Sequence, residues 1–168
     1  MNHLVAPYIM IGFIILFGIL QKIYTHKTIQ KFFQSMPQHW LISIQFYRIA
    51  GIYFIFLYYQ GVLPALFAFS AGIGDMLVGF TAPVVGYIYY KKKSYGKNLA
   101  ILWNILGIID LVIALGIGIL GFPRPIQLIP LSPSMEPISL FPLMSIPMFA
   151  VPLGLFLHFC SLRMLRIN

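Results

Sequence analysis

Apolar residues fill five long runs of this chain, near residues 5–23, 41–60, 64–90, 98–120 and 138–162, and polar residues collect in the segments between them. Each run reaches about 20 residues, the length a helix rising about 1.5 Å per residue needs to cross the hydrocarbon of a bilayer. The pattern predicts an all-α polytopic membrane bundle of five transmembrane helices, forming one integral membrane domain over residues 1–168. Residues 25–39 have a different period. Ile29, Phe32, Phe33 and Met36 recur at i, i+3, i+4 and i+7, with Lys27, Gln30, Lys31 and Gln34 on the other side. That spacing predicts an amphipathic segment lying at the lipid interface, with Trp40 as an anchor at the entry of the second run. Pro142, Pro147 and Pro152 punctuate the fifth run, so that helix is expected to be kinked.

Composition turns the pattern into a compartment. Of 168 residues, 60% are hydrophobic and 8% charged, and the mean hydropathy is +0.91. Soluble domains carry about a quarter charged residues, so this chain cannot cover its own surface with polar groups. The net charge of +8 does not point to nucleic acid, because the cations stand in short blocks beside the apolar runs. Lys22, Lys27 and Lys31 lie between the first two runs, Lys91, Lys92, Lys93 and Lys97 between the third and fourth, and Arg163 and Arg166 after the fifth. The link "QGVLP" and the N-terminal tail carry no charge, and "GFPRPIQLIPLSPSMEP" sets Arg124 against Glu136. The positive-inside rule therefore predicts the N-terminus outside and the C-terminus in the cytoplasm. The start, "MNHLVAPYIM", has neither a basic cluster nor a small-residue cleavage site, so the first run reads as a retained helix.

Two of the three acidic residues, Asp75 and Asp110, fall inside apolar runs, where an uncompensated carboxylate costs several kcal/mol. Gly72 and Gly79 stand at i−3 and i+4 from Asp75, and Gly107 and Ala114 at the same offsets from Asp110. Each aspartate thus shares a face with residues that admit a close neighbour, which points both into the bundle. Counting about 1.5 Å per residue puts both near the midplane, above a layer of Gln45, Arg48, Asn104 and His158. One arginine cannot neutralise two aspartates, so charge counting predicts a pair that titrates in two separate steps and keeps one proton near neutral pH. A protonated His158 is the competing solution. The contexts "GIGDMLVGF" and "GIIDLVIAL" resemble each other on helices expected to run in opposite directions, a possible inverted repeat of the kind seen in transporters.

No cofactor or metal is expected. His158 alone among the histidines lies within a run, whereas a b-type haem needs two facing ligands, and the single cysteine, Cys160, forms neither a disulfide nor a CxxC site.

Two resemblances add to this reading. "GIGD", residues 72–75, resembles the GxGD motif of intramembrane aspartyl proteases, which activate water with two aspartates on adjacent helices. On that resemblance Asp75 and Asp110 would be the catalytic pair, although here the second aspartate follows the motif instead of preceding it. Across most of the chain, "QHWLISIQFYRIAG", "LPALFAFSAGIGDMLVG", "WNILGIIDL", "FPLMSIPMFAVPL" and "LHFCSL" resemble, in that order, a family of small bacterial inner-membrane proteins with no assigned activity. That resemblance implies a bacterial inner membrane and a shared polar core of Arg48, Asp75, Asn104, Asp110 and His158. The expected function is proton-coupled transport or binding of a small solute, with membrane lipid as a partner. The alternative is a non-catalytic subunit or scaffold, as a homo-oligomer or in a larger membrane complex.

Overall fold

A computed structural model describes residues 5–123 and 127–167. Every regular element among them is helical. Helix α1 spans Val5–Thr25, α2 Lys27–Ser35, α3 Gln38–Tyr59, α4 Ala65–Tyr90, α5 Gly96–Gly121 and α6 Ile146–Ile167. All but α2 are long and apolar enough to cross a membrane, which is the number of spans the hydropathy pattern predicts.

The central helix is α4, which runs antiparallel to both neighbours. Its contacts with α5 follow in order along the hairpin: Gly96 against Ile88, Trp103 against Thr81, Gly74 against Asp110 and Gly118 against Phe67. Its other side meets α3 through Gly72, Gly79 and Gly86, one every seven residues. A Cβ on Gly79 would stand 2.6 Å from the Ile49 nitrogen, and one on Gly72 3.0 Å from the Gly51 carbonyl oxygen, so the two backbones touch. The close approach expected from the glycines around Asp75 is therefore present.

Helix α3 is not uniform. Between α-helical Gln38–Ser43 and Ile52–Tyr59 it tightens into a 3₁₀ stretch over Ile44–Gly51. Three residues per turn put Gln45, Arg48 and Gly51 on one face, and all three are buried. Helix α6 lies across α5 and the start of α3, and α1 packs mainly on α6.

Two apolar clusters occupy the ends of the bundle. Phe54, Leu57, Leu63 and Phe67 close the end at the α3–α4 turn, joined by Met135 and Ile138 from the long segment before α6. Ile42, Val78, Ala82, Val85, Trp103 and Leu165 close the other. The charged side chains lie between them.

The last helix differs from its predicted span of 138–162. A 3₁₀ turn over Glu136–Ser139 comes first, Pro142 sits in a turn, and α6 begins at Ile146 and runs on to Ile167. A residue before proline disfavours helical backbone, and the missing N–H of Pro147 is harmless in a first turn. Only Pro152 is an interior break, and the π-helical turn over Ile146–Ala150 precedes it. The segment before α6 is no plain link, since the amides of Leu128 and Ile129 both donate to the Leu120 carbonyl and Met135 is fully buried. Arg124 and His3 lie outside the described residues.

The predicted amphipathic segment forms α2, where Phe33 packs at a tilt against Tyr24 and edge-on against Phe156, with centroids 5.7 and 5.6 Å away. Lys27, Lys31, Phe32 and Trp40 face outward.

Candidate functional site

The 3₁₀ stretch of α3 places Arg48 against Gly79 of α4, about one turn from where Gly51 meets Asp75, and the arginine side chain reaches Asp75 on α4 and Asp110 on α5. That side chain is 2% exposed, yet it makes four polar contacts. Nε donates to Asp75 Oδ1 at 2.7 Å, and Nη2 donates to Asp110 Oδ2. Nη1 reaches the Gly107 carbonyl at 3.4 Å and His158 Nε2 at 3.2 Å. The Nε and Nη2 hydrogens form the parallel edge with which arginine ordinarily grips both oxygens of one carboxylate. Here that edge is divided between two carboxylates, so Asp75 and Asp110 stand side by side.

Glycines make this approach possible. A Cβ on Gly74 would fall on the Asp110 carboxylate, one on Gly51 would fall on the Asp75 side chain, and one on Gly107 would strike the His158 ring. Both outer glycines of "GIGD" thus have packing reasons: Gly72 admits the backbone of α3 and Gly74 admits Asp110.

The hydrogen bonds continue beyond Arg48. An arginine only donates, so His158 Nε2 accepts and Nδ1 carries the proton. Nδ1 then donates to Asn104 Oδ1 at 2.9 Å. Asn104 Nδ2 donates to the Ala100 carbonyl at 2.7 Å and to Ser161 Oγ at 3.0 Å, and Gln38 Nε2 reaches the same hydroxyl at 2.7 Å. The connected set runs from the carboxylates through Arg48, His158, Asn104 and Ser161 to Gln38, with members on four helices. A neutral histidine fits every bond in it, whereas a protonated one would turn an N–H toward the Arg48 guanidinium.

Gln45 stands apart. It shares the buried face of Arg48, but its amide donates to the Gly154 carbonyl at 3.1 Å, and its Oε1 has no partner among the described residues.

On its other side Asp75 meets open space. A cavity of about 450 Å³ lies between α1 and the body of the bundle, walled by residues such as Phe13, Phe67, Leu111, Leu115 and Ile146. Asp75 is the single charged residue in its lining among the described residues. The two aspartate side chains are 18% and 17% exposed, against 2% for Arg48.

A family model described as a domain of unknown function, DUF8737, matches residues 6–166. The chain belongs to the DUF8737 family. No curated protein and no solved structure matches it. The DUF8737 match takes in all five long helices and every member of the polar core, so the core is part of the family domain.

Sequence reasoning named Arg48, Asp75, Asn104, Asp110 and His158, which the structure joins in one network, and Gln45, which it does not. It missed Ser161 and Gln38. Ser161 was legible in principle, standing three residues after His158 on the same helix face. Gln38 sits at the end of its helix, where a polar residue carries no signal. The cavity depends on how α1 docks, which no local pattern reveals. No group of three or more potential metal ligands occurs among the described residues.

Proposed function

We propose that this chain is a multi-pass protein of the bacterial inner membrane, with its N-terminus outside and its C-terminus in the cytoplasm. In this reading the Asp75 and Asp110 pair carries a proton whose occupancy is coupled to movement or binding of a small solute. Five apolar helices support insertion. The basic blocks support the orientation, since Leu165, Ile42 and Val85 share one cluster and so bring the lysine-rich and arginine-rich ends to the same side. The bacterial inner membrane is carried over from the family resemblance, and the exposed lysines of α2 suit anionic headgroups.

The observation that carries the proposal is the divided guanidinium edge. One buried positive charge faces two carboxylates, so the site is one positive charge short and a proton is the smallest group that completes it. Asp75 also borders a cavity, which gives that proton a route that a sealed ion pair lacks. Reconstitution into vesicles with an imposed pH gradient tests this. The wild-type chain is expected to dissipate the gradient, and Asp75→Asn and Asp110→Asn each to abolish the effect. Equal dissipation by all three proteins, or none by any, sinks the proposal.

A second reading, a non-catalytic subunit or scaffold, is favoured by the hydrogen-bonded chain from Arg48 to Gln38, which ties four helices together. In that case the Asp→Asn variants change stability or assembly and leave proton flux untouched.

A further inference from the structure

The cavity and the charge deficit meet at one residue. Arg48 engages Oδ1 of Asp75 and Oδ2 of Asp110, and no hydrogen bond reaches Asp75 Oδ2 or Asp110 Oδ1 among the described residues. Neither oxygen is sealed in, since the only buried side-chain acceptors without a partner there are those of Gln38 and Gln45. At Asp75 the space beyond is the apolar cavity, whose volume of about 450 Å³ lies in the range of about 300–1,000 Å³ that small-molecule sites occupy. Its wall follows α5 from Leu111 to Ile119, a length of about 12 Å at the helical rise. Among the described residues the wall offers neither a cation nor a neutral polar side chain.

We propose that this cavity binds an elongated apolar monocation, such as a lipophilic amine or quaternary ammonium compound, whose charged head takes the place of the proton at Asp75. The inference rests on the shared-proton reading above and names the class of solute. Apolar walls select the body of the ligand, and the missing positive charge selects the sign of its head. A neutral molecule leaves the deficit unfilled, and an anion deepens it. The groups that set the charge around Asp75 are Arg48 and Tyr47 on α3, Asp110 on α5 and His158 on α6, while the α1 residues of the wall, Ile9, Met10, Phe13 and Ile14, contribute none. Tyr47 directs its hydroxyl to the Ala150 carbonyl at 3.3 Å, so it does not compete for the carboxylate. Proton and organic cation then exclude one another, which is the requirement for exchanging them across a membrane.

The test is calorimetric titration of the full chain in lipid nanodiscs, with empty discs as the blank. Decyltrimethylammonium is the probe, with decanol and decanoate as neutral and anionic probes of the same chain length. Expected is saturable binding of the cation, at least about tenfold tighter than either control, with a proton released into weak buffer and Kd rising about tenfold per pH unit on the acid side. Gly118→Leu fills the cavity where a Cβ meets only an ordinary contact, Phe67 Cε2 at 3.5 Å, and leaves the polar core untouched. It is expected to lose cation binding and keep the proton-dependent behaviour of the aspartates. Asp75→Asn is expected to bring cation binding down to the level of decanol. Equal binding of all three probes overturns the proposal and marks the cavity as a lipid-tail site. No saturable binding, with gradient dissipation intact, overturns it while leaving the shared proton standing. Preferential cation binding without proton release supports the cation site and overturns the shared proton.

Discussion

The two sides of Arg48 are built by opposite rules. Toward α6 the guanidinium meets His158, which bonds in turn to Asn104 and through it to Ser161, and all three are 0% exposed. Toward α1 it meets two partly exposed carboxylates and then a cavity. Close contact explains the first side, because Gly107 seats the His158 ring and Gly79 brings α4 against the backbone of Arg48 and Ile49, which leaves no room for rearrangement. The second side is loose because α1 docks mainly on α6 and leaves Ile14, Ile15 and Ile19 about half exposed. Two rigid acceptors, His158 Nε2 and the Gly107 carbonyl, thus hold one edge of the arginine in place while the carboxylates on its other edge keep a free face. Stability and chemistry are separated across a single side chain.

The comparison can be broken most severely at its centre. Arg48→Leu leaves two carboxylates without a cation and is expected to cost about 3–5 kcal/mol, read as a large fall in Tm in detergent. Adding Asp75→Asn and Asp110→Asn to that variant is expected to recover much of the loss; if it recovers none, the arginine is held by packing and its charge is incidental. Next come leucines on the two sides. Gly79→Leu drives a side chain into the backbone of Ile49 and is expected to cost about 3 kcal/mol, whereas Gly118→Leu, on the cavity side, stays within about 1 kcal/mol. Equal Tm shifts would erase the distinction between a tight and an open side. Asn104→Leu strands the His158 Nδ1–H and frees Ser161, for an expected loss of about 1–2 kcal/mol. The smallest effect is expected at Gln45. Its replacement by Leu gives up one bond to Gly154 and also removes an unpartnered Oε1, so Tm should move by less than the equivalent of about 0.5 kcal/mol.

Much of this was visible in one dimension. Run lengths set the five long helices, and the i−3 and i+4 glycines around Asp75 located the face on which α3 and α4 touch. The aspartates, Arg48, Asn104 and His158 stood out because polar side chains inside apolar runs are expensive. Three features stayed hidden for physical reasons. The 3₁₀ stretch of α3 lacks a local marker, since "IQFYRIAG" reads equally well as α-helix, yet it decides that Arg48 and Gly51 share a face. The start of α6 was displaced because an apolar, proline-rich segment looks like a span until the restrictions before each proline are applied. The packing role of Gly74 carried no signal beyond the "GIGD" pattern, because its neighbour Asp110 lies in another helix.

The most direct measurement is carbodiimide labelling of the purified chain in detergent, followed by peptide mass spectrometry from about pH 5 to about pH 9. The reagent reacts with a protonated carboxyl in an apolar setting, so a site one positive charge short should give an adduct on Asp75 or Asp110 that persists at neutral pH and disappears only above it. Arg48→Gln, if folded, should label more strongly at both. If neither aspartate labels in the wild-type chain at any pH while both label in Arg48→Gln, the carboxylates are fully ionised and held by the arginine. The proton is then absent, and the core is a static tie between helices.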